Sequence, residues 1–140
     1  MALFVANPAA QSMMTALEAA IDAGTAAQLV IYSGSVPADA DAALSGNTVL
    51  AELLCADTFG TVAANGNNAR ITAAAIAADT SANNSGTATF WRLFTQTDKA
   101  TTVLQGSVGT SGAELILNTV AITAGSTVSV TSFTIDLPEG

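Results

Sequence analysis

The sequence predicts a mainly β protein: an antiparallel β-sandwich or jelly roll of about eight strands with one N-terminal helix. Three observations predict it. From Gln28 to Leu137, apolar and polar residues alternate with a period of two in short runs. Clusters of Gly, Asn, Asp and Ser separate those runs and supply turn chemistry. Only one segment, near the start, carries a helical period, so no second helix is at hand to cross between parallel strands. A chain of 140 residues suits a single domain, divided into an arm and amphipathic helix over 1–27 and a β-sandwich over 28–140.

The helix is predicted over residues 8–23. Asn7 is placed to cap it, Pro8 suits its first position, and Gly24 stands where a left-handed C-terminal residue belongs. Met14, Leu17 and Ile21 share one face, widened by Met13 and Ala20. Leu29 to Tyr32 then reads as a strand that stops at Ser33-Gly34-Ser35, and Pro37 to Asn47 as a polar loop. Thr48 to Ala56 is apolar on both faces apart from Glu52, the pattern of a strand buried between layers. Asp57 to Ala63 and Ala69 to Ile76 form a pair around the turn signal Asn65-Gly66.

Ala77 to Gly86 is a long polar loop. Thr87 to Thr95 sets Thr87, Thr89, Trp91 and Leu93 on one face and Ala88, Phe90, Arg92 and Phe94 on the other. Thr101 to Val108, Glu114 to Ile122 and Thr127 to Leu137 complete the strands. In the last of these, Val128 and Val130 have one parity and Phe133, Ile135 and Leu137 the other, so a bulge near Thr131-Ser132 is needed to keep all of them in one core. Phe133, Ile135, Leu53 and Ile71 are predicted core residues.

Composition narrows the function. Three Lys+Arg against 11 Asp+Glu give a net charge of −8. Nucleic acid and anionic membrane surfaces are disfavoured as partners, because both are bound through Lys and Arg. No run approaches the ~20 apolar residues of a membrane span. Charged residues are 10% of the chain, against about 25% in an ordinary soluble domain. With 30 Ala and 19 Thr, the surface reads either as one covered by neighbours or as one merely rich in alanine.

Catalytic chemistry finds no foothold. The chain has no histidine, which removes the usual general base, the usual triads and most zinc sites. Cys55, the single cysteine, sits on an apolar strand and reads as core filling. Asp39 and Asp41 have the spacing that can start a calcium loop, but no downstream ligands complete it. The expectation is no enzyme, no cofactor and no metal.

Five segments resemble a known group: Ile31 to Gly34, Pro37 to Asn47 (PADADAALSGN), Ala77 to Trp91 (AADTSANNSGTATFW), Gly106 to Ala113 (GSVGTSGA) and Ser129 to Pro138 (SVTSFTIDLP). Together they resemble small virion structural proteins of tailed bacteriophages, most of all the jelly-roll capsid cement, or decoration, proteins. The likeness covers roughly four-fifths of the chain and carries no motif of functional side chains. It implies a protein assembled in the host cytoplasm and placed on the capsid exterior of the virion. Its partners would be the major capsid protein, whose subunits it bridges, and itself as a homo-oligomer.

The residues singled out for partner binding are Leu3, Phe4, Val5, Trp91 and Arg92. The first three belong to an apolar arm that precedes the helix. That arm either grips a partner or folds back as an extra edge strand. Trp91 and Arg92 are residue types enriched at interface hot spots, with core filling as the other reading of Trp91. Alternative functions are a tail or baseplate component, and a carbohydrate-binding module in which Trp91 and Tyr32 stack on sugar.

Overall fold

The computed structural model describes residues 3–66 and 68–138. Met1 and Ala2 of the apolar arm, Asn67 of the predicted hairpin, and Glu139 and Gly140 lie outside the described residues. One helix and ten strands follow in the order α1 (Asn7–Ile21), β1 (Gln28–Ser33), β2 (Thr48–Leu54), β3 (Gly60–Asn65), β4 (Asn68–Ala73), β5 (Gly86–Thr87), β6 (Phe90–Phe94), β7 (Thr102–Gly109), β8 (Leu115–Leu117), β9 (Ala121–Ile122) and β10 (Val130–Pro138).

The protein is mainly β and sandwich-like, with one helix. Eight strands form one curled sheet in the order β2-β1-β6-β7-β8-β10-β4-β3, and β5 and β9 form a separate two-stranded ribbon. Two features depart from the predicted architecture. A jelly roll divides its strands between two sheets, whereas here the eight hydrogen-bond in one continuous sheet. The sheet is also mixed, because β7 and β8 run parallel where Val108 meets Leu115 and Gly109 meets Ile116. Parallel neighbours ordinarily need a crossover of a dozen or more residues. The link between β7 and β8 is much shorter, and only the tips of the two strands overlap.

The inner face of the curl holds the main core. Leu29, Ile31, Leu53, Ile71, Trp91, Leu93, Leu115 and Phe133 are buried there, and Ile135 packs against them half-buried. Phe133 meets Trp91 edge-on at 4.8 Å and Phe59 edge-on at 5.6 Å between ring centroids. Helix α1 lies across β4 and β3 and buries Ala10, Met14 and Ile21. Met13 and Ala20 instead face solvent, so the buried stripe is narrower than the predicted one and starts a turn earlier, at Ala10.

Both predicted helix ends are corrected. Asn7 is the first helical residue, and its Oδ1 accepts from Gln11 Nε2 at 2.7 Å instead of capping the turn. Gly24 has no positive φ. Its role is space, since a Cβ there would come within 2.3 Å of the Thr95 carbonyl oxygen. The hairpin turn also falls one residue later than Asn65-Gly66, because Asn65 still pairs with Asn68 and Gly66, at φ 60°, is the first residue past the strand.

On the opposite face of the sheet, Val30, Tyr32, Phe90 and Phe94 make a second, smaller core. Tyr32 and Phe90 stack at 5.1 Å. The 34–47 loop is laced over this face. Thr89 Oγ1 donates to the Gly34 carbonyl at 2.8 Å, Gln105 Nε2 to the Pro37 carbonyl at 3.0 Å, and Asn47 Nδ2 to the Ser33 and Ser35 carbonyls.

Candidate functional site

The arm, the strand edges and one polar cleft are the surfaces on which a partner could act. The arm leaves the N-terminus of α1 in extended conformation, with Ala6 at φ −65° and ψ 146°. Pro8 suits that entry, since its ring fits the first turn of a helix and not the interior. Leu3 is 91% exposed and Phe4 65%. Val5 is half-buried and packs against the main core, so the arm is anchored at Val5 while Leu3 and Phe4 stand in solvent. Exposed apolar residues of this size, adjacent in the chain, are what an interaction surface presents.

Trp91 and Arg92 are placed differently. Trp91 is 2% exposed and Arg92 4%. The indole points into the main core, where Nε1 donates to the Ser107 carbonyl at 2.8 Å. The guanidinium lies under the 34–47 loop. Its Nη2 donates to the carbonyls of Ala42 at 2.6 Å and Asp39 at 3.2 Å, and its Nε to Gln105 Oε1 at 2.9 Å. Neither side chain is presented to a partner, so of the five singled-out residues the surface holds Leu3, Phe4 and part of Val5. Tyr32 is buried as well, and a sugar-stacking site would lack both aromatics assigned to it.

Asp39 is the cap of its own turn. Its Oδ1 accepts from the backbone N–H of Asp41 at 3.0 Å and of Ala42 at 2.7 Å. Among the described residues no three Asp, Glu, Cys or His side chains gather in metal-binding distance. Cys55 is buried, and burial pushes its thiol up to about 12.

A cleft on the outer face is lined by Arg70, Ser107, Glu114, Thr134 and Asp136 among others. Its polar groups already hold one another. Arg70 grips Asp136 with two bonds, Nε to Oδ1 at 2.6 Å and Nη2 to Oδ2 at 2.8 Å. That contact holds the Asp136 carboxyl below the usual carboxylate range and raises Arg70. Ser107 Oγ donates to Glu114.

The two outer strands of the sheet differ. The β2 edge is sealed by the segment that follows β4. Ala77 N–H donates to the Leu54 carbonyl at 3.0 Å, Asn83 N–H to the Leu50 carbonyl at 2.8 Å, and Asn84 Nδ2 to the Val49 carbonyl at 2.8 Å. Asp79 Oδ2 accepts from Glu52 N–H at 2.9 Å. The sequence pattern placed β2 between layers, and Leu50, Ala51 and Leu53 are indeed buried on its two faces. It is an edge strand whose rim is covered by a loop. Among the described residues, no hydrogen bond covers the β3 edge in this way.

Comparison with known protein families, with curated proteins and with solved structures finds no match.

Proposed function

We propose that this chain is a non-enzymatic structural protein of a phage virion. It docks on the outside of the capsid, bridges major capsid subunits and stabilises the shell. The observation that carries the reading is the apolar arm. Leu3 and Phe4 stand exposed ahead of a helix that cannot absorb them, and such a segment is best accounted for by a partner that covers it. Two further points support it. Only 14 charged residues (3 plus 11) keep a 140-residue chain in solution, which fits a surface partly occupied by neighbours. The five segments between Ile31 and Pro138 resemble those of phage virion proteins.

Immunogold electron microscopy of native particles tests the proposal. Label over the whole shell is the expected result. Label confined to the tail or baseplate would move the protein to that part of the virion, and label absent from particles would overturn the reading. Binding of the purified chain to shells lacking it, with a gain in their resistance to heat, is the second expected result.

A further inference from the structure

The β3 strand is an open pairing edge. In the β3–β4 hairpin, Asn65 pairs with Asn68, Ala63 with Arg70 and Thr61 with Thr72. A two-residue loop makes the closing pair a hydrogen-bonded one, so these odd positions direct their N–H and C=O groups toward β4. Val62 and Ala64 therefore direct theirs away from the sheet. Among the described residues nothing bonds to them from that side. Natural proteins blunt such an edge with Lys, Pro, a bulge or a covering loop. The other edge of this sheet has the loop. β3, Gly60–Asn65, has no proline, no charge and no register shift.

We infer that β3 is where a second copy of this chain attaches, by antiparallel β3–β3 pairing that continues the sheet across a two-fold axis. This gives a surface to the homo-oligomer that the resemblance to phage virion proteins implies, and it needs no shell. Gly60 is buried, whereas Thr61 to Asn65 are exposed or half-buried. Centring the axis on Ala63 therefore matches Ala63 with itself, Val62 with Ala64, and Thr61 with Asn65. The two Val62–Ala64 pairs then each exchange two main-chain hydrogen bonds. No facing side chain is larger than Val or Asn, so no bulk opposes the approach. Electrostatics favours a copy at this edge over any other part of an acidic surface. The chain carries −8 overall, yet β3 is neutral and the charge nearest in the ladder, Arg70, is neutralised by Asp136. Two copies meet there without like charges opposite each other.

Sedimentation of the purified full chain over a wide concentration range tests this. The expected result is a monomer–dimer equilibrium. Ala64→Pro removes only an outward N–H and leaves the β4 ladder bonds in place, so it should shift the dissociation constant at least about tenfold toward monomer with the circular dichroism spectrum kept. Thr61→Glu with Ala63→Glu is the second variant, for use should the proline disturb the hairpin. In the monomer the new Glu at 63 faces Arg70. In the dimer it faces the new Glu at 63 of the other copy, which is destabilising. This variant too should be monomeric. A chain lacking residues 1–6 should dimerise as before. A wild type that stays monomeric at every concentration, or a dimer that survives both edge variants, overturns the inference. A dimer lost with the arm and not with the edge variants overturns it as well. None of these results bears on shell binding, which particle labelling reads separately.

Discussion

Trp91 on β6 and Gly106 on β7 are register partners, and the indole occupies the space a side chain at 106 would need. A Cβ at Gly106 would stand 2.5 Å from Cζ2 and 2.8 Å from Cε2 of Trp91. The ring has no room to retreat, being tied to the Ser107 carbonyl through Nε1 and packed on Phe133. Gly106→Ala is therefore expected to destabilise the fold by about 1–3 kcal/mol, as overpacking does. Urea denaturation checks it: the midpoint should fall with the slope unchanged, and an unmoved midpoint would show that the indole yields freely.

Arg92 gives a second prediction, one of local rather than global loosening. Its guanidinium is the link between the β-sheet and the carbonyls of Asp39 and Ala42. Arg92→Met keeps most of the apolar stem and removes the donors. Hydrogen bonds to a charged group contribute about 1.5–3 kcal/mol each, net of the exchange with water. Amide exchange should rise across residues 34–47 and stay slow in β1 and β6. Arg92→Lys should not restore protection, because a single ammonium cannot reproduce the fork. Uniform exchange gains across the sheet would contradict the clamp.

The Arg70–Asp136 pair sets a pH dependence. Asp136 has a folded-state pKa held below the usual value by the Arg70 hydrogen bonds. Its stabilisation is thus complete above the unfolded value, near 3.9, and is lost as pH falls through the folded value. Both side chains are 33% exposed, so the pair contributes about 0.5 kcal/mol. Asp136→Asn should lower the melting temperature slightly at about pH 7, and the gap to wild type should close as acidification carries the pH below the lowered folded-state value. A gap that persists in acid would assign the effect to packing.

Cys55 should resist thiol reagents. The thiolate is the reactive species, and burial drives the thiol pKa to about 12. Labelling at about pH 8 should be at least a hundredfold slower than in the unfolded chain, and it should accelerate in denaturant as opening becomes common. Rapid labelling in native buffer would mean that the chain around Ala27 and Cys55, which are joined backbone to backbone at 2.9 Å, opens easily.

Local signals in the sequence carried far. The change of parity after Val130 demanded a bulge, and the β8–β10 pairing does slip between Val130 and Ser132. The alternation at Phe90 to Phe94 separated the two faces of β6, with Trp91 and Leu93 in one core and Phe90 and Phe94 in the other. Periodicity cannot report what comes from far along the chain. The Arg92 clamp joins residues 50 and 53 positions apart, and the seal on β2 joins Asp79 to Glu52. Both depend on where loops fall after the sheet has closed. Gly24 was misread for a related reason: its need for space is set by Thr95, which no local pattern reveals. Of the residues singled out for partner binding, Leu3 and Phe4 are exposed, and that exposure was legible because apolar residues ahead of a helix start have no local use. Trp91 and Arg92 were chosen by residue type, and type does not distinguish a buried anchor from an exposed one.

Removal of the arm separates docking from folding. A chain that starts at Asn7 loses Leu3 and Phe4, which are largely in water already and so contribute little to stability. It also loses the half-buried Val5 and the bond from Ala10 N–H to the Ala6 carbonyl at 2.9 Å. Together these cost about 1–2 kcal/mol, within the 5–15 kcal/mol that holds a typical domain. Pro8 remains to start the helix, and Ala10, Met14 and Ile21 remain to hold it on the sheet. The truncated protein should therefore keep its circular dichroism spectrum and melt only a few degrees lower. If the chain docks on capsid shells as proposed, that binding should be lost, because the apolar contact area of Leu3 and Phe4 goes with the arm. Restoring the arm with Leu3 and Phe4 both changed to Ser should rescue the stability of the helix start without rescuing docking. Shell binding that is unchanged in either variant would show that another surface makes the contact.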